Sequence, residues 1–189
     1  MTYLFKLKTI SLYILLAGIV ISCSKEEEDL NDQLKISNAT AITNNDMYGH
    51  WILSGMIADV EIDLDDDMVS SKNLLEETSC FDNMYITFRQ DGTFNSNNAQ
   101  MTFESGTAQD EFSCLADRKD NGAWEVRNDS LILNLQINST TYIHKKLINL
   151  GTDKFSLDVT KIESDQYVTD PGNTQASPIR ILELEYTRI

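Results

Sequence analysis

His50 and His144 are the two histidines of the chain. Hydrolytic catalysis needs a base held beside a nucleophile, or a metal ligand set. His50 stands in Gly49-His50-Trp51 and His144 in Tyr142-Ile143-His144-Lys145-Lys146. Neither context is a nucleophile elbow or a HExxH helix. Both read as surface or hydrogen-bonded histidines, so no catalytic residue and no enzymatic activity are expected. Asp63, Asp65 and Asp67 have the spacing of the first three calcium ligands of an EF-hand loop. That loop also needs a glycine at its sixth position and a bidentate glutamate at its twelfth. Met68 and Leu74 hold those places. The run from Asp59 through Glu61 and Asp66 to Asp67 therefore reads as a solvated acidic loop, with no metal and no cofactor expected.

Of the three cysteines, Cys23 follows an apolar run and Cys80 and Cys114 lie in the body of the chain. Lys6 and Lys8 precede an uncharged stretch over residues 9–22. That stretch is shorter than the roughly 20 apolar residues that cross a bilayer and fits a signal peptide over residues 1–22. Val20-Ile21-Ser22-Cys23 resembles a bacterial lipobox, which implies cleavage before Cys23 and acylation of it. More than one acyl chain gives stable anchoring. Ser24-Lys25-Glu26-Glu27-Glu28-Asp29 resembles the export signal of some surface lipoproteins of Gram-negative bacteria. The expected location is the outer membrane, leaning to its external face. Residues 23–46 read as an acidic polar tether with scattered apolar residues and room for a short ordered turn. With Cys23 taken by lipid, Cys80 and Cys114 form an even pair in an exported protein. A disulfide is expected, giving about 3–4 kcal/mol in the chain-entropy model.

The balance of charges is 30 acidic against 15 basic residues, a formal −15. Binding to nucleic acid or to an anionic lipid surface needs clustered Lys and Arg, so neither is expected from composition. A hydrophobic share of 41% supports a packed core. The length suits one domain after the tether, over residues 47–189, and a monomer is expected.

The positions considered above must be carried by strands. Strand patterns fall at residues 48–60, 83–90, 93–103, 122–127, 130–137, 141–149, 154–163 and 179–188. A short helix is predicted over 72–79 and a loop over 104–121 that carries Cys114. Asp91-Gly92 and Asn128-Asp129 are hairpin signals. Leu131, Leu133, Leu135 and Ile137 share one face with period two. Eight consecutive strands joined by tight turns predict an all-β, antiparallel up-and-down barrel, with one short helix after the first strand. Closure would pair the first and last strands and remove exposed edges. A two-sheet sandwich is the competing architecture.

Gly49-His50-Trp51 on the first strand is similar to the G-x-W motif of lipocalins. Cys80, Asp82, the run from Phe88 to Phe94 (Phe-Arg-Gln-Asp-Gly-Thr-Phe), Cys114 and Gly122-Ala123-Trp124 follow in order. This layout resembles the lipocalin-like domains of bacterial exported lipoproteins. The resemblance implies a barrel floor of Gly49 and Trp51 under a basic residue near the chain end, for which Arg188 is the candidate. It also implies a cavity that Phe88, Phe94, Trp124, Tyr142 and Phe155 would line, unless these rings fill the barrel instead. The leading expectation is a lipid-anchored, non-enzymatic binding protein for a small apolar ligand. The alternative is a protein- or glycan-interaction module with a filled barrel, which would use the acidic loop or the outer face. A hydrolase ranks last, because no nucleophile–base pair is visible.

Overall fold

The computed structural model describes residues 41–103, 112–137, 139–169 and 179–189. The expected signal peptide, Cys23 and most of the expected tether lie outside the described residues. The described part of the tether carries a helical turn, α1 (Asn44–Met47), closed by a capping box between Thr43 and Asp46. Met47 is buried, and Ile42 packs against the core.

Strand β1 (Gly49–Ile62) alternates Trp51 and Leu53 inward with His50 and Ile52 outward. It is followed by β2 (Ser71–Asn73) and by α2 (Leu74–Glu77), the helix expected after the first strand. A 3-10 turn at Ser79–Phe81 then brings Cys80 to its partner. The hairpin of β3 (Tyr85–Phe88) and β4 (Thr93–Phe103) turns at Asp91-Gly92, where Gly92 has φ 80°. Asp91 stabilises that turn by accepting from the Thr93 amide and hydroxyl.

Strand β5 (Phe112–Arg127) is longer than its sequence predicts. The expected loop over 104–121 is replaced by strand from Phe112 onward, so Cys114 sits on β5 opposite Met101 of β4. Polar residues at 113–121 concealed it, because most of this stretch faces solvent and the backbone ladder to β4 holds it. A disulfide joins Cys80 to Cys114. Next come β6 (Ser130–Ile137) and β7 (Thr140–Leu147), after a turn in which Asn128 and Asp129 have φ 51° and 55°. Both positive angles belong to the I′ turn, which matches strand twist.

The short β8 (Asn149–Leu150) pairs with β9 (Lys154–Asp158). The strand expected to run to residue 163 ends at Asp158. Thr160 and Glu163 form a reciprocal capping box that starts α3 (Lys161–Ser164) instead. A two-residue β10 (Val168–Thr169) then lies parallel to β4, a pairing the up-and-down expectation did not include. The last strand is β11 (Ile181–Arg188).

The hydrogen-bonded order is β7-β6-β5-β4-β3-β1-β11-β9-β8. First and last strands are antiparallel neighbours, with Trp51 opposite Arg188. The sheet curls into an all-β, mostly antiparallel half-barrel. Its ends, β7 and the β8–β9 pair, are not joined by a ladder among the described residues. Lys146 of β7 bridges them by donating to the Asp158 carbonyl at 3.0 Å. The core lies inside the curl, where Trp51, Phe81, Phe88, Phe94, Phe103 and Phe155 are fully buried.

Candidate functional site

One wall of the interior comes from the inward positions of β4, β5 and β6. Phe94, Ser96 and Asn98 alternate on β4, Arg118 and Asp120 on β5, and Leu133 and Leu135 on β6. His144 and Lys146 continue the surface on β7, and Phe155, Leu157, Leu184 and Tyr186 complete it. These side chains enclose a cavity of about 130 Å³. Its depth is aromatic: Phe155 stacks on Tyr186 at 5.0 Å between ring centroids and meets the edge of Trp51 at 4.8 Å.

Residues 159–169 form a strap over one opening of this cavity. The strap leaves β9 beside β11 and ends on β4, so it passes from one part of the curl to another. Val159 donates its amide to Leu182, and Ile181 donates to the Ser164 hydroxyl at 2.8 Å. At the far side Met101 donates to the Tyr167 carbonyl, and the Gln100 amide donates to the Thr169 hydroxyl. Val159, Glu163, Gln166 and Tyr167 line the cavity from the strap. Glu163 Oε2 accepts from the Thr160 amide and hydroxyl and from Lys146 Nζ. One carboxylate oxygen therefore both caps α3 and ties the strap to β7. Burial works to raise the Glu163 pKa, but the hydrogen bonds from Lys146 and Thr160 outweigh it and hold the carboxyl below its usual range.

The rest of the rim is also polar. Asp120 pairs with Arg118 at 3.6 Å and accepts from the Asn98 amide at 2.8 Å. Deeper in, burial pushes the Tyr167 phenol up to about 12 and the Tyr186 phenol higher still. The site thus sets aromatic and aliphatic surface in its depth against polar side chains at its rim.

Of the aromatics considered from sequence, Phe94 and Phe155 line the cavity. Phe88 and Trp124 are buried against each other at 4.6 Å and belong to the packed floor region. Tyr142 is 47% exposed on β7 and is not part of the lining. At the floor, the Arg188 guanidinium carbon lies 4.3 Å from the Trp51 ring centroid. Arg188 also donates to the Asp46 carbonyl, and Trp51 Nε1 donates to the Met47 carbonyl at 2.8 Å. Gly49, with φ 135°, runs under the Arg188 stem.

Sequence reasoning missed Arg118, Asp120, Lys146, Glu163, Tyr167 and Tyr186. For Lys146 a signal existed, since it shares the inward face of β7 with His144. His144 lines the cavity, and His50 lies on the outer face against Thr87 at 2.7 Å and the Tyr85 ring at 4.9 Å. In the acidic loop, carboxylate oxygens of Asp63, Asp65 and Glu77 approach within 4.8 Å of one another. Asp63 accepts from the Met68 amide, Asp65 from the Asp67 amide and Glu77 from the Leu64 amide.

The model of the family described as lipocalin-like domain matches residues 47–157. No curated protein and no solved structure matches the chain.

Proposed function

The chain belongs to the lipocalin-like domain family, and from that premise we propose that it is a non-enzymatic envelope lipoprotein that carries one small apolar ligand. The cavity under the strap carries this reading. Its volume of about 130 Å³ is close to the roughly 150 Å³ of an apolar cavity that takes up benzene. The occupant is therefore ring-sized or a short branched alkyl group, and its polar end lies among Asn98, Arg118 and Gln166. A long acyl chain does not fit: pockets for larger ligands run from about 300 Å³ upward. In the proposal Cys23 is acylated after removal of residues 1–22. The anchor holds the domain at the outer membrane through the acidic tether, with its external face preferred.

The test is native mass spectrometry of the purified protein, followed by solvent extraction and identification of what is released. The expected result is one small apolar compound in one-to-one ratio, lost in a Leu135→Trp variant that fills the cavity. A protein that carries nothing, and takes up no ring-sized apolar probe on titration, would sink the reading.

A further inference from the structure

The sheet also carries a hollow on its outer wall, facing away from the cavity. Ile52, Tyr85, Asn97 and Lys119 are successive cross-strand neighbours on β1, β3, β4 and β5. Their sequence neighbours Trp51, Ile86 and Ser96 are buried in the interior. The Asp82-Asn83 turn and Asp117 rise around this row. Together with Met84 they line a hollow of about 370 Å³, within the size range of small-molecule sites.

Asn97 organises the hollow. It is 4% exposed, although it lies on the outer face. Its Nδ2 donates to the Asn83 carbonyl at 2.9 Å and to Asp117 Oδ1 at 3.2 Å. Both partners are acceptors, so the amide has one permitted orientation. That amide ties the turn before β3 to the point on β5 where Asp117 takes φ 64°. Both walls are thus held in place in advance, which lowers the ordering cost of binding. The Asn97 Oδ1 is left buried with no hydrogen-bond partner among the described residues. The Asp82 carboxylate, the Tyr85 hydroxyl and the Lys119 ammonium also have no partner among the described residues.

The chemistry of these groups selects among ligands. Asp82 and Asp117 only accept hydrogen bonds, Lys119 only donates, and the Tyr85 hydroxyl does both. An anion would meet two carboxylates, and a cation would meet the ammonium. A hydrocarbon would leave all of them desolvated and unpaired, which is costly. Hydroxyl groups both donate and accept, and a pyranose holds several in a fixed array beside an apolar C–H face. The half-buried Tyr85 ring and Ile52, which is 37% exposed, supply the matching apolar side. We propose that this hollow binds a neutral saccharide, independently of the cavity.

The test is calorimetric titration and saturation-transfer NMR of the purified full chain. The probes are glucose, galactose, mannose, N-acetylglucosamine and disaccharides of them. The expected result is saturable binding of at least one probe. Tyr85→Ala and Asp82→Asn should each weaken it by about tenfold, equivalent to about 1.4 kcal/mol. Asp82 and Lys119 are exposed, so Asp82→Asn and Lys119→Ala separate lost binding from lost folding. Leu135→Trp, which fills the inner cavity, should leave saccharide binding unchanged. Failure of the cavity reading and failure of this one are thereby distinct. No saturable binding by any probe, or undiminished binding in both Asp82→Asn and Lys119→Ala, overturns the proposal. So does a calcium signal lost in Asp82→Asn with no saccharide signal.

Discussion

Trp51 ties the floor together through three kinds of contact. It is fully buried, donates to α1, meets Phe155 at its edge and carries Arg188 on its face. Trp51→Ala removes all of these contacts and leaves a cavity, so it should cost roughly 3–5 kcal/mol in urea unfolding. Arg188→Met keeps much of the stem's packing and removes the charge, for a loss of about 0.5–2 kcal/mol. An Arg188→Met loss as large as that of Trp51→Ala would contradict this division. Gly122 is constrained differently. A Cβ there would stand 2.0 Å from the Asn134 carbonyl oxygen of β6, so no rotamer change relieves the clash. Gly122→Ala should force β5 and β6 apart and destabilise by about 1–3 kcal/mol, with faster amide exchange at Leu135. Unchanged exchange there would argue that the strands tolerate the methyl group. Gly122-Ala123-Trp124 was legible in the sequence as a motif, but the reason for its glycine lies in the neighbouring strand and cannot be read locally.

Strand existence was readable where apolar residues recur with period two. Ser130–Ile137 has the bounds expected of it, and the Asn128-Asp129 turn has the backbone that its residue types favour. Strand β5 was partly hidden because exposed strand residues carry no period-two signal, and only pairing to β4 reveals them. The strap was misread for another reason. Phe155, Leu157 and Val159 keep strand alternation up to the point where the capping box Thr160-Lys161-Ile162-Glu163 takes over, and two local signals overlapped. The strap's latch predicts a pH dependence. The folded Glu163 pKa lies below its ordinary value of 4.5. Its stabilisation is therefore fully present above that pH and is lost as pH falls through the folded value. Amide protection of Ile181 and Met101, whose partners lie in the strap, should fall as pH drops through the folded Glu163 pKa, below the ordinary glutamate range. Glu163→Gln should lower that protection at neutral pH by about 1–3 kcal/mol and flatten its acid dependence. Equal protection in the variant and the parent at both pH values would show that the strap does not depend on this carboxylate.

At the scale of the whole chain, the proposed function rests the placing of the protein on covalent chemistry and not on charge. A formal charge of −15 repels an anionic bilayer surface, so electrostatics gives the domain no hold on a membrane. Among the described residues no helix is long and apolar enough to cross a membrane. Attachment in the proposed function therefore rests on Cys23. A single acyl chain binds marginally, whereas two or more anchor a protein stably. The acidic residues at 26–29 would keep the tether extended by self-repulsion, holding the domain clear of the surface. In the proposed function, Cys23→Ser removes the thiol that would take the lipid and, with it, the substrate for cleavage before residue 23. The expected product is an unprocessed, non-acylated precursor, heavier than the mature polypeptide by residues 1–22 and missing from the outer-membrane fraction. Intact-mass analysis of fractionated membranes measures both properties at once. A Cys23→Ser protein that is still cleaved before residue 23, or still partitions with the outer membrane as the parent does, would leave the anchor unassigned. The reading of the inner cavity would stand unaffected.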